Sequence, residues 1–581
     1  MIEPLRNWLA RPYRIVAGCA LLSGIAVGTI DDLRHLAFAG LASLLPTASE
    51  QTACVETYLD ARGQKAPGSY LIILTDLVND TDLTQTRLVD RTLRRLYGED
   101  LGAAIQLEAI PCAIYVTSGN ATERAEAARS LARSIADRAG ADVVIWGEVI
   151  ARDAEIALSM THATDTAAGD YRVAESSLTT DFGEAIGALI AAKLLTQVTV
   201  TPEDSGNYLV TRMQRVLALT GPLVADPPDQ MTAADHSALY DAHGQALYHI
   251  GLQSGDAAAM QQAVDAFRLA LEDFPRQDSP LDWARVQGNL GIALRTLGAG
   301  QAGSANLEAA VAAFTAALEE QSPELVPLDW GITQNNLGSA LASLGQRESG
   351  TERLEAAVVA FTQALTVRTR DSVPFSWAMT QNNLGVTLQI LGDRDRNPAR
   401  LEAAVAAFRE ALKEYTRDRV PLTWAATQNN LGNALLSLGM TEPGTARLYE
   451  AVTAFGEALK ESRRDLVPLD WAMAQNNLGN ALAAIGQREP GTKGFEDAAI
   501  AFDLALTERT RDKVPFDWAV TRMGQGLLDL DWFDKTAEGA RLASARAHVL
   551  AAREVFVAAG AGHYVSRTDA ILAQITDRET P

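Results

Sequence analysis

The sequence predicts a mainly α-helical protein: an α-solenoid of about seven helix-pair repeats, preceded by a small α/β domain and an N-terminal membrane helix. Three observations carry this. A tryptophan returns every 47 residues, at Trp283, Trp330, Trp377, Trp424, Trp471 and Trp518. A phenylalanine keeps the same step at Phe267, Phe314, Phe361, Phe408, Phe455 and Phe502. Near-verbatim text follows four of the tryptophans, as in Trp377-AMTQNNLGVTLQILG and Trp424-AATQNNLGNALLSLG. A fixed period of this size marks supersecondary units that stack and share one core.

Each unit reads as two helices. Over 377–391, Leu384, Leu388 and Leu391 fall at steps of four and three, one face of a helix. Pro374 suits its start and Gly392 its end. A second helix is expected from about Ala399 to Arg417-Asp418, with Leu401, Val405, Phe408 and Leu412 on its apolar face. The pair Leu384-Gly385 and the A-x-x-x-F of Ala404 and Phe408 resemble the tetratricopeptide repeat. That unit has 34 residues; the longer period and the QNNLG text resemble large bacterial repeat proteins and, more loosely, kinesin light chain repeats. His243-GQALYHIG marks a degenerate first unit, and Arg522-MGQG replaces QNNLG in the last. Helices are expected at 542–556 and, as a cap, at 567–576. Each tryptophan opens a first helix within P-[LF]-x-W, with Val before the proline at every position but Trp283, where packing on the preceding second helix is expected.

Ahead of the repeats the period changes. Strands are expected at Tyr70-LIILTDL, Ile105 to Val116, Asp142-VVIWGEV, Glu155-IALSMTH and Tyr171-RVAESSL, with helices at 84–97, 121–139 and 182–195. That order describes a small α/β domain with a mixed sheet. Gly140-ADVVIWGEV with a following Thr164-Asp165-Thr166…Gly169 turn resembles the amino-terminal α/β domain of the TolB type. The resemblance implies envelope assembly or sensing, and bacterial regulators of that kind place a membrane span, this domain and the repeats in the same order. The expected division is 1–50 anchor region, 51–200 α/β domain, 201–232 connecting helix and hinge, and 233–581 repeats with a capping helix.

Residues 15–30 carry no charge and follow Arg6, Arg11 and Arg14. Sixteen residues lie at the short edge of a spanning helix. The arginines would stay in the cytoplasm, which makes a single-pass inner-membrane protein with the bulk of its chain in the periplasm. The competing readings are a cleaved signal peptide and a buried helix of a cytosolic protein. Cys54 and Cys112 either pair in an oxidising compartment or stay as buried thiols.

The formal charge of −23 argues against nucleic acid, which needs clustered Lys and Arg. No C-x-x-C, H-E-x-x-H, G-x-S-x-G or P-loop occurs. Counting a calcium loop from Asp80 puts Gln85 at the sixth position and Arg91 at the twelfth, against the required Gly and Glu. Gly298-AGQAGS matches G-x-G-x-x-G in letters but lies between two helices, where no dinucleotide site forms. No catalytic residue, metal or cofactor is implied.

The functional candidates are amides. Asn289, Asn336, Asn383, Asn430 and Asn477 precede the Leu of each Leu-Gly, and Gln334, Gln381, Gln428 and Gln475 stand two residues earlier. The asparagine position resembles the one from which peptide-binding tetratricopeptide domains hold a ligand backbone; an amide donates and accepts, which suits a main chain. The alternative is an internal ladder between neighbouring helices. The expected function is a membrane-anchored scaffold whose repeat groove binds a protein or peptide partner in envelope assembly or regulation. The alternative is a sensor whose α/β domain binds a ligand and signals through the repeats.

Overall fold

The computed structural model describes residues 54, 57–58, 70–76, 83–97 and 105–114, much of 128–151, 155–162, 176–179, three positions in 188–192 and, single positions and 273–275 apart, 207–579. The chain divides into two compact units, Met1–Asp329 and Trp330–Pro581.

The first unit opens with a five-stranded sheet of β1 (Tyr70–Asp76), β2 (Ile105–Ala113), β3 (Val143–Ala151), β4 (Glu155–His162) and β5 (Ser176–Thr179), in the order β2-β1-β3-β4-β5. β1 is parallel to both its neighbours, and β3, β4 and β5 run antiparallel, so the sheet is mixed. Leu71, Ile72, Ile73 and Leu74 are all fully buried. A strand buried on both faces reads as a continuous apolar run, as this one does. Leu71 and Ile73 share one cluster with Ala132, Ile135 and Ala136, and α1 (Thr84–Tyr97), with Val89 and Leu93 buried, lies against β1 and β2. Cys54 and Cys112 form a disulfide, with Cα atoms 6.0 Å apart. The hydroxyl of Tyr58 donates to Glu108 Oε2 of β2 at 2.7 Å, a second tie to that strand. Of the two states left open for these cysteines, the structure takes the paired one.

Helices follow: α2 (Asn207–Ala225), then the pairs α3 (Ala233–Ser254) with α4 (Ala257–Glu272) and α5 (Pro280–Ala299) with α6 (Ala305–Glu320). The second unit continues with α7 (Pro327–Arg347) and α8 (Glu352–Val367), α9 (Pro374–Asp395) and α10 (Pro398–Ala411), α11 (Pro421–Thr441) and α12 (Ala446–Ala458), α13 (Pro468–Arg488) and α14 (Lys493–Leu506), and α15 (Pro515–Thr536) and α16 (Gly539–Ala558), closed by α17 (Gly562–Glu579). The larger part of the chain is thus a helical repeat solenoid. Proline opens each first helix from α5 on, where its missing N–H costs nothing and its φ is already helical.

Within the second unit each second helix packs on the next first helix, and the first helices α9, α11, α13 and α15 also touch in succession. Leu401, Val405 and Phe408 of α10 share one apolar cluster with Leu431 and Leu435 of α11, Phe455 of α12 and Ala481 of α13. The Leu-Gly pair works by size. A Cβ on Gly385 would stand 2.8 Å from the Phe408 ring, and Gly432 and Gly479 meet Phe455 and Phe502 in the same way. That close approach leaves each ring with no more than 1% exposure, a burial that stabilises by about 1.5–3 kcal/mol per ring.

Three expectations need correction. Gly392 is interior: α9 runs on to Asp395 and ends at Arg396 in the left-handed region, φ 53°. α10 stops at Ala411, and residues 412–418 are turns rather than helix. The third concerns the membrane. The stretch 15–30 lies outside the described residues, and among the described residues no helix is long and apolar enough to cross a bilayer. The physical reason is amphipathicity: α9, for example, buries Trp377, Ala378 and Leu391 against its neighbours and leaves Asp393, Asp395 and Arg396 exposed. The single-pass inner-membrane placement, and the membrane as a partner, are therefore withdrawn.

Candidate functional site: the amides of the first helices

The asparagines of the second unit form a ladder with a fixed sense. Asn383 Nδ2 donates to Asn335 Oδ1 at 3.4 Å, Asn430 Nδ2 to Asn382 Oδ1 at 3.3 Å, and Asn477 Nδ2 to Asn429 Oδ1 at 3.1 Å. Each bond joins the second Asn of one QNNLG to the first Asn of the preceding repeat, a step of 48 residues. The acceptors Asn335 and Asn429 are buried, whereas Asn336, Asn383, Asn430 and Asn477 are half-buried. One rung engages one N–H of a carboxamide that has two donors and two acceptor lone pairs. The ladder thus fixes Asn383, Asn430 and Asn477 in orientation and leaves them with hydrogen-bonding capacity at a half-open face, while Asn336 shares their register.

The glutamines divide. Gln334 and Gln475 are buried, and Gln334 Oε1 has no hydrogen-bond partner among the described residues; Gln381 and Gln428 are half-buried. Asn289, in the first unit, belongs to a different arrangement. Its Nδ2 donates to Asp241 Oδ1 at 2.8 Å, and Asp241 also receives Arg285 at 2.5 Å and Gln245 at 3.0 Å. Burial alone would lower the Arg285 pKa, but Asp241 and Asp282 hold it above its ordinary value. Asn289 therefore completes a buried ionic network, in which a lone unpaired charge would be strongly destabilising.

Around the amides the first helices carry no charge. Not one Asp, Glu, Lys, Arg or His occurs in 330–346, 377–392, 424–441 or 471–487, in a chain that is 21% charged. This feature was open to inspection in the sequence and adds to the amide pattern: charge is kept off these segments and collected at the helix ends. Arg394 donates to the Gly345 carbonyl at 3.0 Å, and Arg488 to those of Gly439 at 2.8 Å and Gly444 at 2.6 Å. Each caps the C-terminal turn of the preceding first helix, where carbonyls lack partners and the helix dipole favours a cation.

The tryptophans also sit in a ladder that sequence reading missed. Arg370, Arg464 and Arg511 lie over the rings of Trp377, Trp471 and Trp518, with centroid distances of 6.0, 5.4 and 5.5 Å. The same arginines reach an acid in the next repeat: Arg370 to Glu414 at 2.6 Å, Arg464 to Glu508 at 2.5 Å and Arg511 to Glu554 at 2.7 Å. In the first unit Arg276 lies 4.4 Å from the Trp283 centroid and pairs with Glu319 at 2.7 Å. A signal existed: where the arginine position holds Pro323, the acid position 44 residues on holds Val367. Trp377 and Trp424 are buried, and Trp377 shares a cluster with Leu365 of α8, Ala411 of α10 and Tyr415 in the turn after α10. Their role is packing, as expected.

The last repeat departs from this scheme. Asp529 stands at the register of Leu388, Leu435 and Leu482, and His548 at that of Ala407, Ala454 and Ala501. Asp529 is buried and accepts from Ser544 at 2.7 Å and Arg541 at 3.1 Å, with His548 Nδ1 at 3.1 Å. Burial would raise its pKa, yet His548, Ser544 and Arg541 together hold it below the ordinary carboxylate value. Ser544 and His548 both engage Asp529, a shared acceptor rather than a nucleophile–base relay.

No family model matches the chain, and no curated protein matches it. Among solved structures it is similar to a Rap protein complexed with competence and sporulation factor, at TM-score 0.36 and 13% identity over 68% of this chain and 98% of that one. It is also similar to a signal transduction ATPase with numerous domains and a tetratricopeptide repeat sensor from Pyrococcus horikoshii, at TM-score 0.39 and 13% identity. That match covers 66% of this chain and spans only 55% of the ATPase. A third, a circular tandem repeat protein with novel repeat topology, gives TM-score 0.22 and 13% identity over 68% of this chain and 96% of that one. None of these likenesses carries an argument about function.

Proposed function

We propose that the first-helix face of the second unit binds the main chain of a protein or peptide partner, and that the protein is an interaction scaffold. The observation that supports this is the coincidence of half-buried amides, three of them oriented by the ladder, with the charge-free segments 330–346, 377–392, 424–441 and 471–487 of the first helices. A peptide backbone is neutral and offers donors and acceptors in alternation. A neutral carboxamide matches it without the desolvation cost that a charged side chain would bring. Asn336, Asn383, Asn430 and Asn477 hold that role in this reading, with Gln381 and Gln428 flanking them, while Gln334 and Gln475 support from beneath. Asn289 stands apart, because its amide is engaged with Asp241. Residues 51–200, joined by 201–232 to the repeats of 233–581, form a separate α/β domain in the same proposal.

The test displays a random peptide library against the immobilised full-length chain and measures selected peptides on variants. Asn383→Ala combined with Asn430→Ala is expected to weaken them at least about tenfold, with the helical circular-dichroism signal intact. Arg464→Ala, which touches only the tryptophan ladder, is expected to leave them unchanged. Equal affinity in the double asparagine variant, or a library that yields no peptide, would overturn the reading.

A further inference from the structure

The asparagine ladder ends on an open rung. Its next bond would run from residue 524 of α15 to the first Asn of α13, Asn476. Position 524 is glycine, so the donor is missing. Asn476 is 5% exposed, and its Oδ1 is buried with no hydrogen-bond partner among the described residues, while its Nδ2 donates to Asn477 Oδ1 at 3.2 Å. A buried acceptor left unmade is destabilising, and three successive rungs show what group satisfies it elsewhere in the unit: a carboxamide N–H. A second acceptor lies beside the gap. Asn480 Oδ1, one turn along α13, is 3.5 Å from the point where a Cβ on Gly524 would sit, and Asn480 is exposed.

We propose that this gap between α13 and α15 is a subsite for a primary carboxamide, the side chain of an Asn or Gln in the bound polypeptide. This rests on the reading of the first-helix face as the ligand-bearing one. A carboxamide carries two N–H bonds, one to take up Asn476 Oδ1 as each rung does and one for Asn480 Oδ1, so the ligand takes the place of the missing Asn side chain. An ammonium group fits less well. The segment 471–487 supplies no carboxylate, and Arg522, two residues before Gly524, adds a like charge. Asp503, the acid bonded to the neighbouring Gln525, already accepts from that amide at 2.8 Å.

Met523 supplies the probe. It is buried next to Gly524, and the chain has nine methionines, few enough to resolve by methyl-labelled NMR of the full-length protein. The signal is assigned with Met523→Leu, and N-acetyl-asparagine methylamide is titrated against the alanine and lysine analogues. A saturable displacement by the asparagine compound is expected, with affinity at least about tenfold above the other two. Gly524→Asn, which closes the ladder from within, should abolish it. Because a Cβ at 524 would come within 3.1 Å of the Phe502 ring, a second variant guards against misfolding. Asn480→Ala changes only an exposed side chain and should weaken the response by a similar factor. No displacement, an equal response to the alanine compound, a stronger one to lysine, or an unaltered response in Asn480→Ala would each overturn the subsite. Asn383→Ala with Asn430→Ala leaves α13 and α15 untouched and should keep the Met523 response: unchanged peptide affinity with that response kept fails the main-chain reading alone, and lost peptide affinity with no Met523 response in the wild type fails the subsite alone.

Discussion

At the scale of single residues, two glycines in helix interiors have opposite physical roles. Gly385 in α9 faces Phe408, and a Cβ there would approach the ring to 2.8 Å; Gly456 in α12 is exposed and has nothing within 4 Å. Alanine gains about 1 kcal/mol over glycine in a helix interior, and overpacking a filled core costs about 1–3 kcal/mol. Gly456→Ala is therefore expected to raise stability and Gly385→Ala to lower it, both read as shifts of the urea midpoint at constant slope. If both stabilise, the close approach at Leu-Gly is not a constraint. A half-buried carboxyl gives a second test. Burial holds the pKa of Asp531 above its ordinary value, with Asp534 adding to it and Gln487 and Arg578 opposing. The folded state thus holds a proton more tightly than the unfolded state. The ionised group is a cost above its folded pKa, and that cost fades as pH falls toward the unfolded value. Asp531→Asn, which keeps an oxygen to accept from Gln487, is expected to raise the melting temperature at pH 7 and to lose this advantage near pH 4. A lower melting temperature at pH 7 would show that the charge is used by a partner that outweighs its burial.

At the scale of elements, each tryptophan ladder joins the turn after one second helix to the end of the next. Arg464 lies over Trp471 and pairs with Glu508, but its side chain is 54% exposed against 16% for the acid. An ion pair so open is screened, and a ring contact at an exposed site is modest, so Arg464→Ala should cost only about 0.5–1 kcal/mol. A double-mutant cycle with Glu508→Gln is expected to return a coupling of a few tenths of a kcal/mol that shrinks in high salt. A coupling unaffected by salt would mean that the contact is packing of the arginine stem. The register of this ladder was legible, because Pro323 and Val367 lose both partners together. Its reading needed the fold, since nothing in one chain direction says that residues 44 apart face each other.

At the scale of the whole molecule, what was legible follows from how local each repeat is. The 47-residue period carries the helix pairs, the buried phenylalanines and the Leu-Gly contact, because each depends on the unit and its neighbours alone. Helix ends were less legible. α9 passes Gly392, and Arg394 in its last turn is held by the carbonyls of Gly345 and Gly350, a contact made one repeat away. The asparagines matched both a ladder and a ligand face in the sequence, and the ladder bond itself rests on a cross-repeat step of 48 that spacing within one helix does not contain. The same locality sets the last expectation. Phe455 is fully buried in a cluster that runs from Leu401 of α10 to Ala481 of α13, while 519–575 holds a cluster of its own around Val549 and Phe556. Phe455→Ala should cost about 3–5 kcal/mol, but the loss falls on the repeats that touch the cavity. Hydrogen exchange is expected to quicken in α11, α12 and α13 and to keep its wild-type rate in α16 and α17. Uniform acceleration from residue 330 to the C-terminus would mean that these repeats open as one cooperative body, and that the nearest-neighbour account of their stability fails.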